Sequence, residues 1–326
     1  MEKIGIEKFV KKQGWSFFGI ADREAVLGAL KKHHPAFRQW IKKGMEAKME
    51  YLKKMENDRY HPDSKLPGFK SAIALAAWYG YEQKMCSFLG FARNDKTKGI
   101  IARYAAGRDY HKVLTKKLKE LSQWLADQDP HAQTYVSVDS GPTVDRVIAQ
   151  AAGLGFFGKN TCLIHPQKGS FFFIGVILTN LDLPATPALR MPNCGDCQKC
   201  IKACPTGALV APGVLDARKC ISYLTIENKG PIPATLRSKM GNRLFGCDAC
   251  QEVCPFNLGR AHHQKILIKE FGKKYGAGES LDLKKILSIK NDEEFLKLFA
   301  GTPIMRAKRL GLIRNACAVA GRPMGA

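Results

Sequence analysis

The sequence predicts an α/β or α+β domain over residues 1–185, a small metal-organised domain over 186–261, and a basic helical segment over 262–326. Three observations carry that division. Up to about residue 185, amphipathic helical stretches alternate with apolar runs of strand length. Leu183–Pro192 then brings Pro184, Pro187 and Pro192 together and interrupts any regular pattern. Beyond it, residues 193–260 lose periodicity and fill with cysteine, glycine and proline, a composition suited to metal ligation rather than to an apolar core.

Taken in order, Ile4–Gln13 reads as a short amphipathic helix with Gly14 as its C-cap, followed by a strand over Trp15–Ile20. Ala72–Tyr79 has almost no polar side chain and is expected in the centre of a sheet. His111–Asp127 spaces Leu114, Leu118, Leu121 and Leu125 as one apolar helical stripe. Thr134–Val138 is a strand. Ser140-Gly141-Pro142 turns it into a helix over Thr143–Ala152, with Pro142 near the first helical position. Phe171–Leu178 is a second buried strand. From His262 onward the pattern is helical and basic, and Arg309–Ala320 sets Leu310, Leu312, Ile313, Ala316 and Val319 on one stripe. That stripe needs a partner helix or a place on the body of the protein.

Composition narrows the function. The chain has 326 residues, 52 Lys and Arg against 29 Asp and Glu, and a net charge of +23. A charge of this size points to a polyanionic partner, either nucleic acid or an acidic membrane surface. The excess is spread along the chain and is densest in residues 255–326, with 14 basic and 6 acidic side chains. No apolar run reaches the length of a membrane-spanning helix. The N-terminal residues lack a signal-peptide core and a twin-arginine pair, so the expectation is a cytosolic protein with no membrane role. In a reducing compartment the 11 cysteines read as metal or redox ligands rather than as disulfides.

Their spacing says which. Cys194, Cys197, Cys200 and Cys204 with Pro205 form C-x2-C-x2-C-x3-C-P, the bacterial ferredoxin run, whose fourth cysteine ligates the other cluster of a pair. Cys247, Cys250 and Cys254 with Pro255 form a shortened second copy, and Cys220 lies between the two runs to supply the missing ligand. One [4Fe–4S] cluster is thus expected on Cys194, Cys197, Cys200 and Cys254, and a second on Cys204, Cys220, Cys247 and Cys250. The competing reading is two structural zinc sites, but zinc favours separated C-x2-C pairs over a tight run closed by proline. Cys86, Cys162 and Cys317 are left over as small buried apolar residues. A simple electron carrier needs only this domain, so the preceding 190 or so residues imply a second cofactor or a substrate site.

Gly153-Leu-Gly-Phe-Phe-Gly158-Lys159 approaches a phosphate-binding loop, yet Asn160 stands where a Mg²⁺-binding hydroxyl is required, and the segment leads into the strand-like Thr161–His165. Nucleotide hydrolysis is rejected. Asp139 ends a strand in the turn Val138-Asp139-Ser140-Gly141-Pro142, where it is either a capping residue or a site carboxylate. A nearby helix N-terminus lowers a carboxyl pKa, whereas a proton donor needs it raised. Arg103-Tyr104 and Asp109-Tyr110-His111 admit both surface and site roles.

Asp139-Ser-Gly-Pro142, Gly158-Lys-Asn-Thr-Cys162, the first cysteine run, Cys220-Ile-Ser-Tyr-Leu-Thr-Ile-Glu227 and Gly246-Cys-Asp-Ala-Cys-Gln-Glu-Val-Cys-Pro255 together resemble the epoxyqueuosine reductases over roughly residues 5–320. The resemblance implies a cobalamin-binding α/β domain joined to a two-cluster ferredoxin-type domain, related to the reductive dehalogenases. It implies reduction of the epoxide of epoxyqueuosine to queuosine at the wobble position of tRNA, the last step of queuosine biosynthesis. Many members add C-terminal helical repeats; here the repeat-like Arg309–Ala320 is followed by the chain end, so a reduced module is expected.

Carried onto this sequence, the resemblance makes Asp139 the proton donor and places two [4Fe–4S] clusters and cobalamin as cofactors. Candidates for the corrin pocket are Tyr104, Asp139, Lys159, Asn160, Thr161, Ser170 and Ser222, with Ser222 standing between cluster and corrin. Lys229, Arg237 and Arg243, which flank the second cysteine run, are candidates for phosphate contact with the tRNA anticodon arm. The protein is expected to act as a monomer fed by an electron donor of unknown identity. The competing functions are a dehalogenase-like reductase, a non-enzymatic ferredoxin-type carrier and a zinc-bearing RNA-binding protein. Iron and cobalt content separates them.

Overall fold

The computed structural model describes residues 3–80, 97–187, 191–258 and 265–322; Cys86 lies outside them. Its main sheet places β1 (Phe17–Asp22), β2 (Ser71–Trp78), β7 (Phe172–Thr179) and β4 (Thr134–Ser137) side by side in that order. Every neighbouring pair is antiparallel, so the α+β form of the expectation holds. Apolar periodicity reports burial and is silent on strand direction. One consequence is that Asp139 follows an edge strand of an antiparallel sheet, not the carboxyl edge of a parallel one.

All eight residues of β2 are buried, as its composition requires. They sort by parity: Ile73, Leu75 and Ala77 enter one core, and Ala72, Ala74 and Ala76 the other. Helices α1 (Lys3–Lys12) and α3 (Tyr110–Gln128) cover the first face, α2 (Arg23–Lys42) and α4 (Asp145–Ala151) the second. The α3 stripe is fully buried at all four leucines, each contributing about 2 kcal/mol of transfer free energy. Gly14 takes φ +86° after α1, the left-handed C-cap the sequence called for. Asp22 and Asp109 accept backbone hydrogen bonds as N-caps of α2 and α3. Pro142 falls outside α4, which begins two residues later than expected, because the side chains of Thr143 and Asp145 are taken up by the preceding loop.

A second sheet interleaves the three stretches. β3 (Lys98–Ile101) lies between β10 (Arg243–Phe245), to which it is parallel, and β11 (Ser280–Asp282), to which it is antiparallel. β5 (Phe156–Phe157) and β6 (Leu163–Ile164) form a hairpin around Gly158–Cys162, whose ends close through Gly158 N–H to the Cys162 carbonyl at 2.9 Å. A hairpin cannot serve as a strand-to-helix phosphate loop. In the cysteine stretch β8 (Leu209–Ala211) pairs with β9 (Val214–Leu215). Among the described residues no helix is long and apolar enough to cross a membrane.

The terminal helix α6 (Lys308–Ala320) docks onto the body by most of the stripe read from sequence, with Leu312, Ala316 and Val319 buried in a core shared with Leu283 and Ile286. Leu310 is 69% exposed, while Arg314 and Asn315 are buried. The reason is a set of carbonyls at the end of α5 (Ile221–Ile226). The Arg314 guanidinium donates to the carbonyls of Leu224, Asn228 and Gly230, and the Asn315 amide to those of Thr225 and Leu244 at 2.7 and 3.0 Å. A cation at a helix C-terminus also meets the negative end of its dipole. Replacing Arg314 with Ala strands several buried carbonyls, and is expected to lower unfolding free energy by about 3 kcal/mol in chemical denaturation.

Candidate functional site

Asp139 sits just past β4 with φ +51°, in the left-handed region that a residue with a Cβ seldom adopts. Its carboxylate accepts from the Tyr110 hydroxyl at 2.5 Å and lies 3.5 Å from His111 Nε2. The His111 Nδ1 is 2.9 Å from Asp109, the N-cap of α3. Tyr110 stacks between Phe173 and His111, with centroids 4.3 and 4.1 Å away. The first turn of α3 therefore aims two donors at one carboxylate. The Asp139 side chain is 66% accessible, yet enough protein surrounds it for burial to act on its carboxyl, so it stands in a recess.

The charges in this corner are divided unevenly. Burial works to raise the Asp139 carboxyl, but hydrogen bonds from His111 and Tyr110 and the charge of His111 outweigh it and hold the pKa at about 2. Burial would lower His111, but its bonds to Asp109 and Asp139 prevail and bring it to about 9. Burial and the Asp139 charge push the Tyr110 phenol far above its ordinary range. At neutral pH the mobile proton of the corner rests on His111.

Across the recess, Tyr51, Tyr104 and Arg306 lie within electrostatic reach of Asp139. Arg306 is held by a bidentate pair with Glu227 at 2.8 and 3.0 Å. Glu227 caps the C-terminal end of α5, and Cys220 occupies its N-cap. Six helical residues span roughly 9 Å, so this helix joins Cys220 to the rim of the recess in one short step. Ser222, in the first turn, hydrogen-bonds the Cys220 sulfur. The recess thus has aromatic walls, a charged rim and a thiolate group behind it. This donor set fits a large, flat redox cofactor placed against a cluster.

The cysteines gather in two groups. Cys194, Cys197, Cys200 and Cys254 line one small cavity with Lys159, Ile164 and Phe256. Electrostatic coupling follows the same partition: Cys254 senses Cys194 and Cys200, while Cys247 senses Cys220 and Cys220 senses Cys204. Cys250 senses Cys247 and Cys220. No three His, Cys, Asp or Glu side chains among the described residues close on a single ion. Thiolates spread around a cavity suit a cube of four irons, each ligand on its own iron, better than one tetrahedral zinc. All ten described cysteines are free thiols. Cys317 is buried in α6, whereas Cys162 shares a hydrogen bond with Cys250 and is thus more than a spare apolar residue.

The remaining candidates divide. Tyr104 lines the recess beside Phe245 and Tyr110, and Gly246 allows it the room, since an added Cβ would lie 3.3 Å from its ring. The Thr161 carbonyl accepts from Arg146, whose charge reaches Asp139. Lys159 turns to the first cysteine group, its backbone N–H 3.4 Å from the Cys194 sulfur and its ammonium 2.5 Å from the Gly195 carbonyl. Asn160 is buried and donates to the Cys250 carbonyl. Ser170 is tied to Gln251 and Asn257. Arg237 is exposed, Lys229 donates to the Ile226 and Arg306 carbonyls, and Arg243 faces inward toward Cys247.

Arg103 was noted in sequence without a role. It is buried at the end of β3, donates its backbone N–H to Asp248 at 2.7 Å, pairs with Glu252 at 2.8 Å and lies over the Phe171 ring. The signal was present in the acidic residues set between cysteines, Asp248 and Glu252, which need a cation if buried. His111 and Tyr110 were noted in sequence but not assigned. The raised His111 pKa stabilises the folded state fully below its ordinary value of 6.5, and that contribution is lost as pH rises through about 9. NMR titration is expected to find His111 near 9, and Asp109→Asn to bring it down by at least about one unit.

The comparisons with known proteins agree with this geometry. Residues 193–257 match the family model of a 4Fe-4S double cluster binding domain, and residues 59–140 that of epoxyqueuosine reductase QueG, DUF1730. The epoxyqueuosine reductase of Pseudomonas aeruginosa is 36% identical over 318 residues, spanning 95% of this chain and 82% of that protein. An epoxyqueuosine reductase structure from Bacillus subtilis, with its catalytic aspartate loop swung out of the active site, superposes with a TM-score of 0.81 at 30% identity. It covers 97% of this chain and 80% of its own, as does a crystal structure of epoxyqueuosine reductase with a tRNA-Tyr epoxyqueuosine-modified tRNA stem loop (TM-score 0.81, 31% identity). With over a third of its residues shared along nearly its whole length, and the same backbone path, the chain belongs to the epoxyqueuosine reductase family.

Proposed function

We propose that this protein reduces the epoxide of epoxyqueuosine to queuosine at the wobble position of tRNA, with Asp139 as proton donor. The observation that carries the reading is the Asp139 carboxylate, held by Tyr110 and His111 at the mouth of a recess that α5 connects to a thiolate group. Two [4Fe–4S] clusters are held by Cys194, Cys197, Cys200 and Cys254, and by Cys204, Cys220, Cys247 and Cys250. Cobalamin, when bound in the recess, supplies a low-valent cobalt that reduces the epoxide with electrons relayed singly through the clusters. Tyr104 and Ser222 face it, with Thr161 near the rim; Lys159, Asn160 and Ser170 hold the cluster loops beneath.

The chain's own residues manage the proton. A departing epoxide oxygen must be protonated as its C–O bond breaks. Asp139 is anionic in the open recess, and His111 beside it is protonated. Filling the recess removes water from the carboxylate and favours its neutral form, so the proton shifts from His111 to Asp139 and on to the leaving oxygen. The tRNA anticodon arm lies over the same mouth, with Arg237 and Lys229 placed for phosphates. The B. subtilis structure with its aspartate loop swung out supports a loop that admits and then closes on substrate. We further take the protein to act as a monomer with a separate electron donor.

Asp139→Asn is expected to bind cobalamin normally, by its visible spectrum, and to lose at least about 100-fold in anaerobic turnover of epoxyqueuosine-containing tRNA. Turnover near the wild-type rate rules out the proton-donor role. Cys254→Ala is expected to drop iron content from about eight to about four per chain, whereas Cys317→Ala keeps about eight. Loss confined to the second cluster would overturn the ligand partition.

A further inference from the structure

A second aspartate, six residues after Asp139, has no part in the chemistry above. Asp145 is 8% exposed and opens α4. Its Oδ2 accepts the backbone N–H of Asp139 at 2.6 Å, and its Oδ1 accepts the hydroxyls of Ser137 at 3.2 Å and of Thr143. Thr143 also reaches Ser137 at 2.7 Å, so the network closes on itself. The loop it grips is strained. Ser140 N–H bonds the Val138 carbonyl at 2.6 Å across an Asp139 with φ +51°, a γ-turn of the rare positive-φ kind. Such a conformation persists only where its surroundings over-determine it. Gly141 packs so tightly on Ser137 that an added Cβ would lie 2.3 Å from the Ser137 hydroxyl oxygen.

We infer that Asp145 is the positioning residue that latches the Asp139 loop in its inward, reactive arrangement, through the Asp139 N–H and the paired hydroxyls of Ser137 and Thr143. The chemistry is that of a buried acceptor with three converging donors. Releasing the Asp139 N–H from Asp145 frees the one backbone bond holding the strained residue, and the loop relaxes outward with its carboxylate. Burial and the nearby Asp139 charge raise the Asp145 carboxyl only to about 6, so at neutral pH it remains the anionic acceptor this network requires. The inference rests on the proposed role of Asp139, and the latch itself can be tested separately from that role.

The test is hydrogen–deuterium exchange of the holoenzyme over residues 137–144, alongside steady-state turnover. Asp145→Ala is expected to speed exchange of the Asp139 and Ser140 amides at least about tenfold, with the rest of the chain as in wild type. Turnover should fall at least about tenfold with the KM for tRNA unchanged, the mark of a misplaced reacting group. Asp145→Asn, whose amide oxygen still accepts the Asp139 N–H, should restore most of both. Unchanged exchange in Asp145→Ala overturns the latch and leaves the Asp139 reading standing. Fast exchange with full turnover overturns the positioning role, and the Asp139 reading falls with it. If Asp145→Ala does not fold, Gly141→Ala wedges the same loop off Ser137 without touching the carboxylate, and must raise exchange and lower turnover in the same way; no effect on either overturns the inference.

Discussion

The buried ion cluster of Arg103 with Asp248 and Glu252 is the joint on which the site depends. Asp248 lies between two thiols of the second group and is buried with its charge, a costly placement without a partner. Arg103 supplies that partner from the end of β3, using its backbone N–H as well as its guanidinium. Burial still lifts both acids, Glu252 to about 7. The joint ties the loop carrying Cys247 and Cys250 to the segment that continues directly into Tyr104, Asp109 and the first turn of α3. The second cysteine group and the Asp139 corner are thereby referred to a single short stretch of backbone, residues 103–111.

The same economy appears on the proton side. Asp109 caps α3 and orients His111; Tyr110 and His111 then hold Asp139. Cap, acid store and positioning donor are three consecutive residues on one helical turn. Because α3 is anchored by four leucines in the main core, that turn is set by the packing of the whole domain. The donors Tyr110 and His111 consequently stand on a helix fixed by the core, whereas Asp139 stands on the loop after β4.

Much of this was readable in the sequence, for definite physical reasons. Thiolate spacing is dictated by cube geometry, so the two cysteine runs and the isolated Cys220 announced a pair of clusters. The nearly all-apolar Ala72–Tyr79 and the α3 leucines are burial signals, and burial is what composition encodes. Strand direction is not encoded there, and the antiparallel sheet had to be seen. The apolar stripe placed α6 only in part: Leu312, Ala316 and Val319 are buried as it required, but Arg314 and Asn315 are buried as well, by hydrogen bonds to carbonyls that no side-chain pattern announces. Ser170 and Asn160, candidates for the corrin pocket, hydrogen-bond Gln251, Asn257 and the Cys250 carbonyl. A sequence shows which residues carry polar atoms, and only the fold shows which of those atoms remain free for a ligand.

The three-stranded sheet has a bearing on how the protein is made. Its middle strand, β3, emerges from the ribosome nearly 150 residues before β10 and some 180 before β11. Until then its edges have no partner, and the joint at Arg103 has no acids to meet. Closing such distant pairs is slow, and exposed strand edges invite association with other chains while they wait. The nascent main domain must therefore stand on its four-stranded sheet alone until the cysteine stretch is synthesised, and the three-stranded sheet beside the site can set only once β10 and β11 have been made.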